Sequence, residues 1–299
     1  MGTEPDARAL AARAALVGTP REPGAPKPDP VLVVDGLRCR LGPAFHLDVG
    51  HLEFQRGAIT AIVGPNGAGK TTLISVLSGF VRADAGRWRI GNRDLSGRRP
   101  DRIAAMGLGR TFATTRSLAK RTVHENVVLA GHEQKGGHWW RALVVAKVRA
   151  GDVANGQRAT DTLRRFGLEP AADRTAAELS IGERKLLALA RSAMANPAVL
   201  LLDEPTAGTT AEVTEQIAAH LRGLRAQGIT PVFVEHNLRL VRSLADWVVV
   251  MDDGRVVAEG PPGEVEQHPA AAAYFRRRTG HHPIEGAGLL PHEAGEAGA

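Results

Sequence analysis

Apolar residues in this chain gather into short unbroken runs: Ala58–Val63, Val199–Leu202, Pro231–Val234 and Trp247–Met251. Runs of four to six apolar residues without alternation are the pattern of strands covered on both faces. Between them lie stretches of helical period. One runs from Thr72 to Ser78. A longer one opens at Leu179-Ser180-Ile181-Gly182-Glu183 and ends near Asn196-Pro197. Glu212–Ala226 is amphipathic and closed by Gly228, and Leu238–Ala245 is a further short helix. Trp247–Met251 and Arg255–Glu259, joined at Asp252-Asp253-Gly254, form a hairpin.

The flanks read differently. From Val31 to Gly57 the pattern predicts two or three short strands, broken at Asp35-Gly36, Gly42-Pro43 and Gly50, in an antiparallel edge sheet. Gly86–Ile90 and Leu108–Phe112 are strand candidates, and Pro100 opens a helix to about Met106. Helical composition then takes over: Val123–Ala130, Arg141–Val153 and Ala159–Phe166, with Gly136–Trp140 as a loop, make a helical insertion spanning about 115–195. Residues 1–30, with prolines at 20, 23, 26, 28 and 30, predict a disordered or extended leader. Glu264–Arg278 should be helical, and 281–299 a flexible tail. The fold class is therefore α/β: a mostly parallel core sheet, an antiparallel N-terminal β subdomain and a helical insertion, with the folded domain over 31–280.

Chemistry-bearing residues fall at the C-terminal ends of the buried strands, where open parallel sheets bind ligands. After Ala58–Val63 comes Gly64-Pro65-Asn66-Gly67-Ala68-Gly69-Lys70-Thr71, followed by Thr72 and a helix; this fits G-x-x-x-x-G-K-[ST]. Glycines let successive backbone N–H groups converge on phosphate oxygens, and the helix start adds its positive dipole end. Lys70 would place a charge on the β- and γ-phosphates, and the Thr71 hydroxyl would ligate Mg²⁺. Strand, loop and helix together imply a nucleoside triphosphate site. Asp203 and Glu204 end the most apolar strand, and two adjacent carboxylates cannot both be core groups. A Mg²⁺ ion beside Thr71 accounts for Asp203, leaving Glu204 to orient or deprotonate an attacking water. His236 ends another buried strand, where a structural hydrogen bond and a phosphate contact are equally open. Ser180 and Glu183 form a capping box; a helix mouth with Ser180 and Gly182 is equally an anion site.

Composition narrows the setting. The chain has 299 residues, 43% hydrophobic and 23% charged, and a single cysteine, Cys39, so an internal disulfide is impossible. No apolar run reaches the ~18 residues of a membrane span. The net charge of +6 invites a nucleic-acid reading, but aromatics at 4% do not interleave with the arginines, and no nucleic-acid partner is expected.

Taken together, these motifs resemble the ATP-binding cassette (ABC) family over residues 31–280. Gly64–Thr71 looks like its Walker A loop, Leu179–Glu183 its signature, Val199–Glu204 its Walker B strand and His236 its switch histidine. The resemblance implies ATP and Mg²⁺ as cofactors and a head-to-tail dimer with a second ABC subunit, homo- or heteromeric. Each nucleotide would then lie between one subunit's Walker A and the other's Ser180 and Gly182. Gly109-Arg110-Thr111-Phe112, Glu125-Asn126-Val127, Val234-Glu235-His236-Asn237 and Ala273-Tyr274-Phe275 are similar to the ATPase subunits of branched-chain amino acid importers, with urea or amide systems sharing the look. That subgroup implies docking on separate integral-membrane permeases at the cytoplasmic face of the membrane, with an extracytoplasmic solute-binding protein selecting the solute.

Three positions depart from the family pattern. Ala113 stands where the Q-loop glutamine is expected, Leu41 where an aromatic should stack on adenine (Phe45 is the nearby substitute), and Thr210 where the D-loop usually carries Asp or Asn. They motivate two alternatives: a weakly active or non-catalytic partner of a paralogous subunit, and a soluble ABC-type ATPase outside transport.

Overall fold

The computed structural model describes residues 7–42, 45–111, 118–133 and 150–279. Ala113, the Gly136–Trp140 tract and residues 280–299 lie outside them. In chain order the elements are α1 (Ala7–Leu16), β1 (Pro30–Arg40), β2 (His46–Gln55), β3 (Thr60–Val63), α2 (Lys70–Leu77), β4 (Ala85–Ile90), β5 (Arg93–Asp94), α3 (Pro100–Ala105) and β6 (Leu108–Thr111). There follow α4 (Val123–Glu133), α5 (Ala150–Arg165), α6 (Ile181–Ala195), β7 (Val199–Asp203), α7 (Ala211–Ala226), β8 (Thr230–Val234) and α8 (Leu238–Leu244). The chain then forms the hairpin β9 (Trp247–Asp252) and β10 (Arg255–Gly260), and the helices α9 (Pro262–Val265) and α10 (Pro269–Thr279).

Two sheets carry the fold. The larger runs β10-β9-β3-β8-β7-β6, parallel except for β10 at its edge; the smaller, β2-β1-β4-β5, is antiparallel throughout. Strands β3, β7 and β8 are buried at every position, as their unbroken apolar runs predict. Alternate residues feed two separate cores, because side chains on a strand point to opposite faces. Ala61, Val63, Leu200 and Leu202 pack with the helices α4 to α8. Ile62, Val199, Leu201 and Val234 pack with α2 and the antiparallel sheet.

Three expectations change. The antiparallel strands do not break at Gly36 or Gly50; ladder pairing carries β1 and β2 through both glycines. The predicted helices Arg141–Val153 and Ala159–Phe166 are, over their described part, one helix, α5, because Gly156 interrupts the apolar pattern but not the backbone bonds. The leader is the larger difference. Ala7–Leu16 is a helix with Ala12 and Leu16 buried, and Arg13 donates to the buried carboxylate of Asp246. The proline-rich stretch between it and β1 holds no helix or strand and turns at Gly18 and Gly24, and it is clamped. Gly24 N and Ala25 N donate to Glu259 Oε1, and Lys27 Nζ lies 2.8 Å from Glu259 Oε2. Polar partners more than 230 residues away along the chain hold the arm, which local composition cannot reveal.

Candidate nucleotide site

Strands β3, β7 and β8 end side by side, so the groups that follow them converge. Gly64 begins the loop after β3 with φ +150°, and a Cβ there would lie 2.0 Å from the Met251 carbonyl oxygen at the end of β9. Only glycine fits where the loop passes the neighbouring strand. The loop ends at Gly69, the N-cap of α2, in the left-handed region at φ +95°. A Cβ there would meet the Phe45 ring at 2.9 Å. Backbone N–H groups at the start of α2 are thus left open toward the cleft, an arrangement suited to an anion.

Lys70 is buried and its ammonium donates to the carbonyls of Gly64 and Pro65, at 2.9 and 2.7 Å, which pins the loop across its own base. The Thr71 hydroxyl donates to Asp203 Oδ1 at 3.1 Å across 132 residues of sequence. Asp203 is buried at the end of β7, and hydroxyl and carboxylate oxygens at that separation form a donor set suited to a hard divalent cation. Glu204 leaves the strand with φ +48°, turning its carboxylate away from the core. His236 Nε2 lies 3.0 Å from Glu204 Oε1. A cleft of about 500 Å³ is lined by Asn66, Gly67, Gly69, Lys70, Thr71 and Thr72 together with Glu204, His236, Leu41 and Phe45. Such a volume suits a nucleotide-sized ligand. A larger groove, about 680 Å³, is lined by Arg38, Arg40, Asp48, Asp84, Asp253 and Arg255; its charges balance, and Asp203, Glu204 and His236 are not among the residues that line it.

The predicted loop residues, Asp203, Glu204 and His236 therefore come together. Ser180, Gly182 and Glu183 do not line that cleft. Ser180 is the N-cap of α6 and the capping box is complete: Glu183 N donates to Ser180 Oγ at 3.2 Å, and Ser180 N to Glu183 Oε2 at 2.7 Å. The Ser180 backbone and hydroxyl, with the nearby Arg174, hold the Glu183 carboxyl below its ordinary value. Ser180 itself is exposed, so a surface helix mouth remains available to another molecule. Thr210 is the N-cap of α7, accepting from Val213 N at 3.4 Å. Threonine keeps the capping oxygen that Asp or Asn would supply.

Three residues escaped the sequence reading of the site. Arg110, noted only within a family motif, reaches Ser75 and Ser78 hydroxyls at 3.1 Å and Asp203 Oδ2 at 3.5 Å. Burial lowers its pKa, and Asp203 opposes the shift. Lys185, on α6, donates to the Glu204 carbonyl at 2.7 Å; burial again lowers its pKa, against the pull of Glu235, Glu204 and Asp203. Glu235, buried after β8, accepts from Thr206 and from His236 N. No spacing rule joins a lysine near a helix start to a strand end 19 residues later. Phe45 and Leu41 line the same cleft, so an aromatic ring stands beside the position where one was expected.

A glycine loop between strand and helix, with a hydroxyl–carboxylate pair beside it, defines a phosphate-loop nucleotide-binding protein. Residues 47–207 match the ABC transporter family. The chain belongs to that family, and its cassette is an ATPase coupled to transport. It is 34% identical over 242 residues to the high-affinity branched-chain amino acid transport ATP-binding protein LivG of Salmonella typhimurium, covering 80% of this chain and 95% of that one. To the probable LivG of Methanocaldococcus jannaschii it is 36% identical over 214 residues, 72% of this chain and 83% of the other. A nucleotide-free ATP-binding cassette from an ABC transporter aligns with TM-score 0.71 at 32% identity, covering 82% of this chain and 98% of that structure. An ADP-conformation cassette aligns with the same score, 0.71, covering 85% and 99%. Among the described residues no helix is long and apolar enough to cross a membrane.

Proposed function

We propose that this chain is the ATP-binding and hydrolysing subunit of an importer that takes up branched-chain amino acids or a similar small polar solute. It works peripherally, at the cytoplasmic face, on separate integral-membrane permeases, with an extracytoplasmic solute-binding protein supplying the solute. The names of its relatives support the solute class.

The loop N–H groups of 64–70 and the Lys70 ammonium hold the β- and γ-phosphates, and Phe45 packs on the base. Thr71 and Asp203 would hold Mg²⁺, which would supply charge neutralisation at the phosphate oxygens. Glu204 orients the attacking water and accepts its proton, and His236 keeps that carboxylate directed at the γ-phosphate. Ser180 and Gly182 serve the nucleotide of a second subunit in a head-to-tail dimer, Glu183 bracing the helix mouth. The Glu204–His236 pair at 3.0 Å in the same cleft as Lys70 and Thr71 is the observation that carries this reading.

Steady-state hydrolysis of MgATP by the purified chain tests it. Lys70→Ala should lose tight nucleotide binding. Glu204→Gln should keep ATP binding and lose turnover by roughly two orders of magnitude or more. Turnover of Glu204→Gln at the wild-type rate would refute the role of Glu204.

A further inference from the structure

Glu204 holds its place against local preference. At φ +48° it is in the left-handed region, which residues with a Cβ avoid, so its surroundings must over-determine it. Its N–H donates to the Val234 carbonyl at 3.1 Å, and its own carbonyl accepts from Lys185 Nζ at 2.7 Å. Two residues on, Thr206 N and Oγ1 donate to Glu235 Oε1 at 3.0 and 2.5 Å. The other oxygen of Glu235 accepts from His236 N at 3.1 Å and Asn237 N at 3.4 Å. Both donor and acceptor are sequestered, Lys185 at 9% and Glu235 at 4% exposure, so neither bond competes freely with water. One buried carboxylate thus ties down the loop after Glu204 and the backbone of the histidine that meets it.

We propose that Lys185 and Glu235 are positioning residues for Glu204. Lys185 fixes the peptide that carries the carboxylate, and Glu235 fixes the segments on either side of the Glu204–His236 pair. This rests on Glu204 being the group that prepares the attacking water. It goes further in one respect: Lys185 lies on α6, five residues after Ser180. Within one chain, the helix whose mouth is offered to a second subunit's nucleotide also grips the peptide that carries the chain's own catalytic carboxylate. A shift of α6 therefore moves the Glu204 peptide directly.

The test is MgATP turnover and MgATP affinity of the full chain, measured separately for Lys185→Met, Lys185→Arg, Thr206→Val and Glu204→Gln, each with a thermal melt. Lys185→Met should lower kcat roughly 30- to 100-fold, the cost of a displacement near 1 Å, and leave ATP affinity within about threefold of wild type. Lys185→Arg, which restores a donor, should recover most of the loss. Thr206→Val removes one hydroxyl bond to Glu235 without changing charge and should lower kcat by about three- to tenfold. It tests the Glu235 half of the proposal by itself, and Lys185→Arg tests the lysine half, should Lys185→Met fail to fold. Wild-type kcat in both Lys185→Met and Thr206→Val, or equal loss of affinity and turnover in Lys185→Met, overturns the proposal. If Glu204→Gln is inactive while those two are normal, the positioning idea alone fails. If Glu204→Gln is itself active, the role of Glu204 fails with it.

Discussion

Replacing Lys27 with methionine probes whether the N-terminal arm is part of the folded core. The ammonium and the Glu259 carboxylate are 2.8 Å apart, with side-chain exposures of 1% and 0%. Lys27 Nζ also donates to the Ala25 carbonyl at 2.8 Å and sits 4.6 Å over the Trp247 ring. Methionine keeps the length and apolar stem of the side chain and removes only the charge and its donors. Glu259 is then a buried anion without its counter-ion, and breaking one side of such a pair costs about 3–5 kcal/mol. Three donors remain on Glu259, from Gly24 N, Ala25 N and Trp247 Nε1, which places the expected loss near the lower end. At about 3 kcal/mol, Tm should fall by roughly 6–12 °C for a domain of this size class. The assay is a thermal melt without nucleotide, followed by circular dichroism. Lys27→Met/Glu259→Gln, which removes the orphaned charge as well, should recover at least half of the loss. A Tm for Lys27→Met within about 1 °C of wild type would refute the reasoning and leave the arm as a loose leader.

Three further outcomes are expected. His220 stacks on Phe166 with ring centroids 4.3 Å apart, and burial lowers its pKa below 6.5. The unfolded chain therefore takes up a proton near pH 6.5 before the folded chain does, so His220 makes stability decline as pH falls below that value. His220→Phe should flatten that part of a Tm-against-pH curve, and an unchanged slope would count against it. Gly64→Ala forces a methyl group within 2.0 Å of the Met251 carbonyl, so the loop must move. MgATP binding should be lost while a protein that melts cooperatively remains, and retained affinity would contradict the cradle geometry. Phe45→Ala should weaken ATP binding by about 1–3 kcal/mol, roughly 5- to 150-fold, with little change in kcat at saturation. Unaltered affinity would move the base elsewhere in the cleft.

Much of this molecule is determined by order along the chain. The continuous apolar runs of β3, β7 and β8 can be satisfied only by burial on both faces, and strands of that kind place whatever follows them along one edge of a sheet. Gly64–Thr71, Asp203-Glu204 and His236 each stand at the end of such a strand, so their order along the chain already implies that they converge. Capping at Ser180 and Glu183 is also local, since its partners lie three residues apart. What local pattern cannot supply is a partner far away in sequence. Prolines between residues 20 and 30 forbid a helix there, but docking of that stretch depends on a glutamate more than 230 residues later. Gly36 and Gly50 look like breaks until cross-strand pairing holds their strands together. A lysine inside an amphipathic helix reads as a solvent-facing group, and only the packing of α6 against the end of β7 turns Lys185 onto the Glu204 carbonyl. The sequence by itself determined which groups stand at the ends of the buried strands and gather at one cleft. Tertiary structure decided what holds them still, because a buried charge takes its meaning from the partner that desolvates with it.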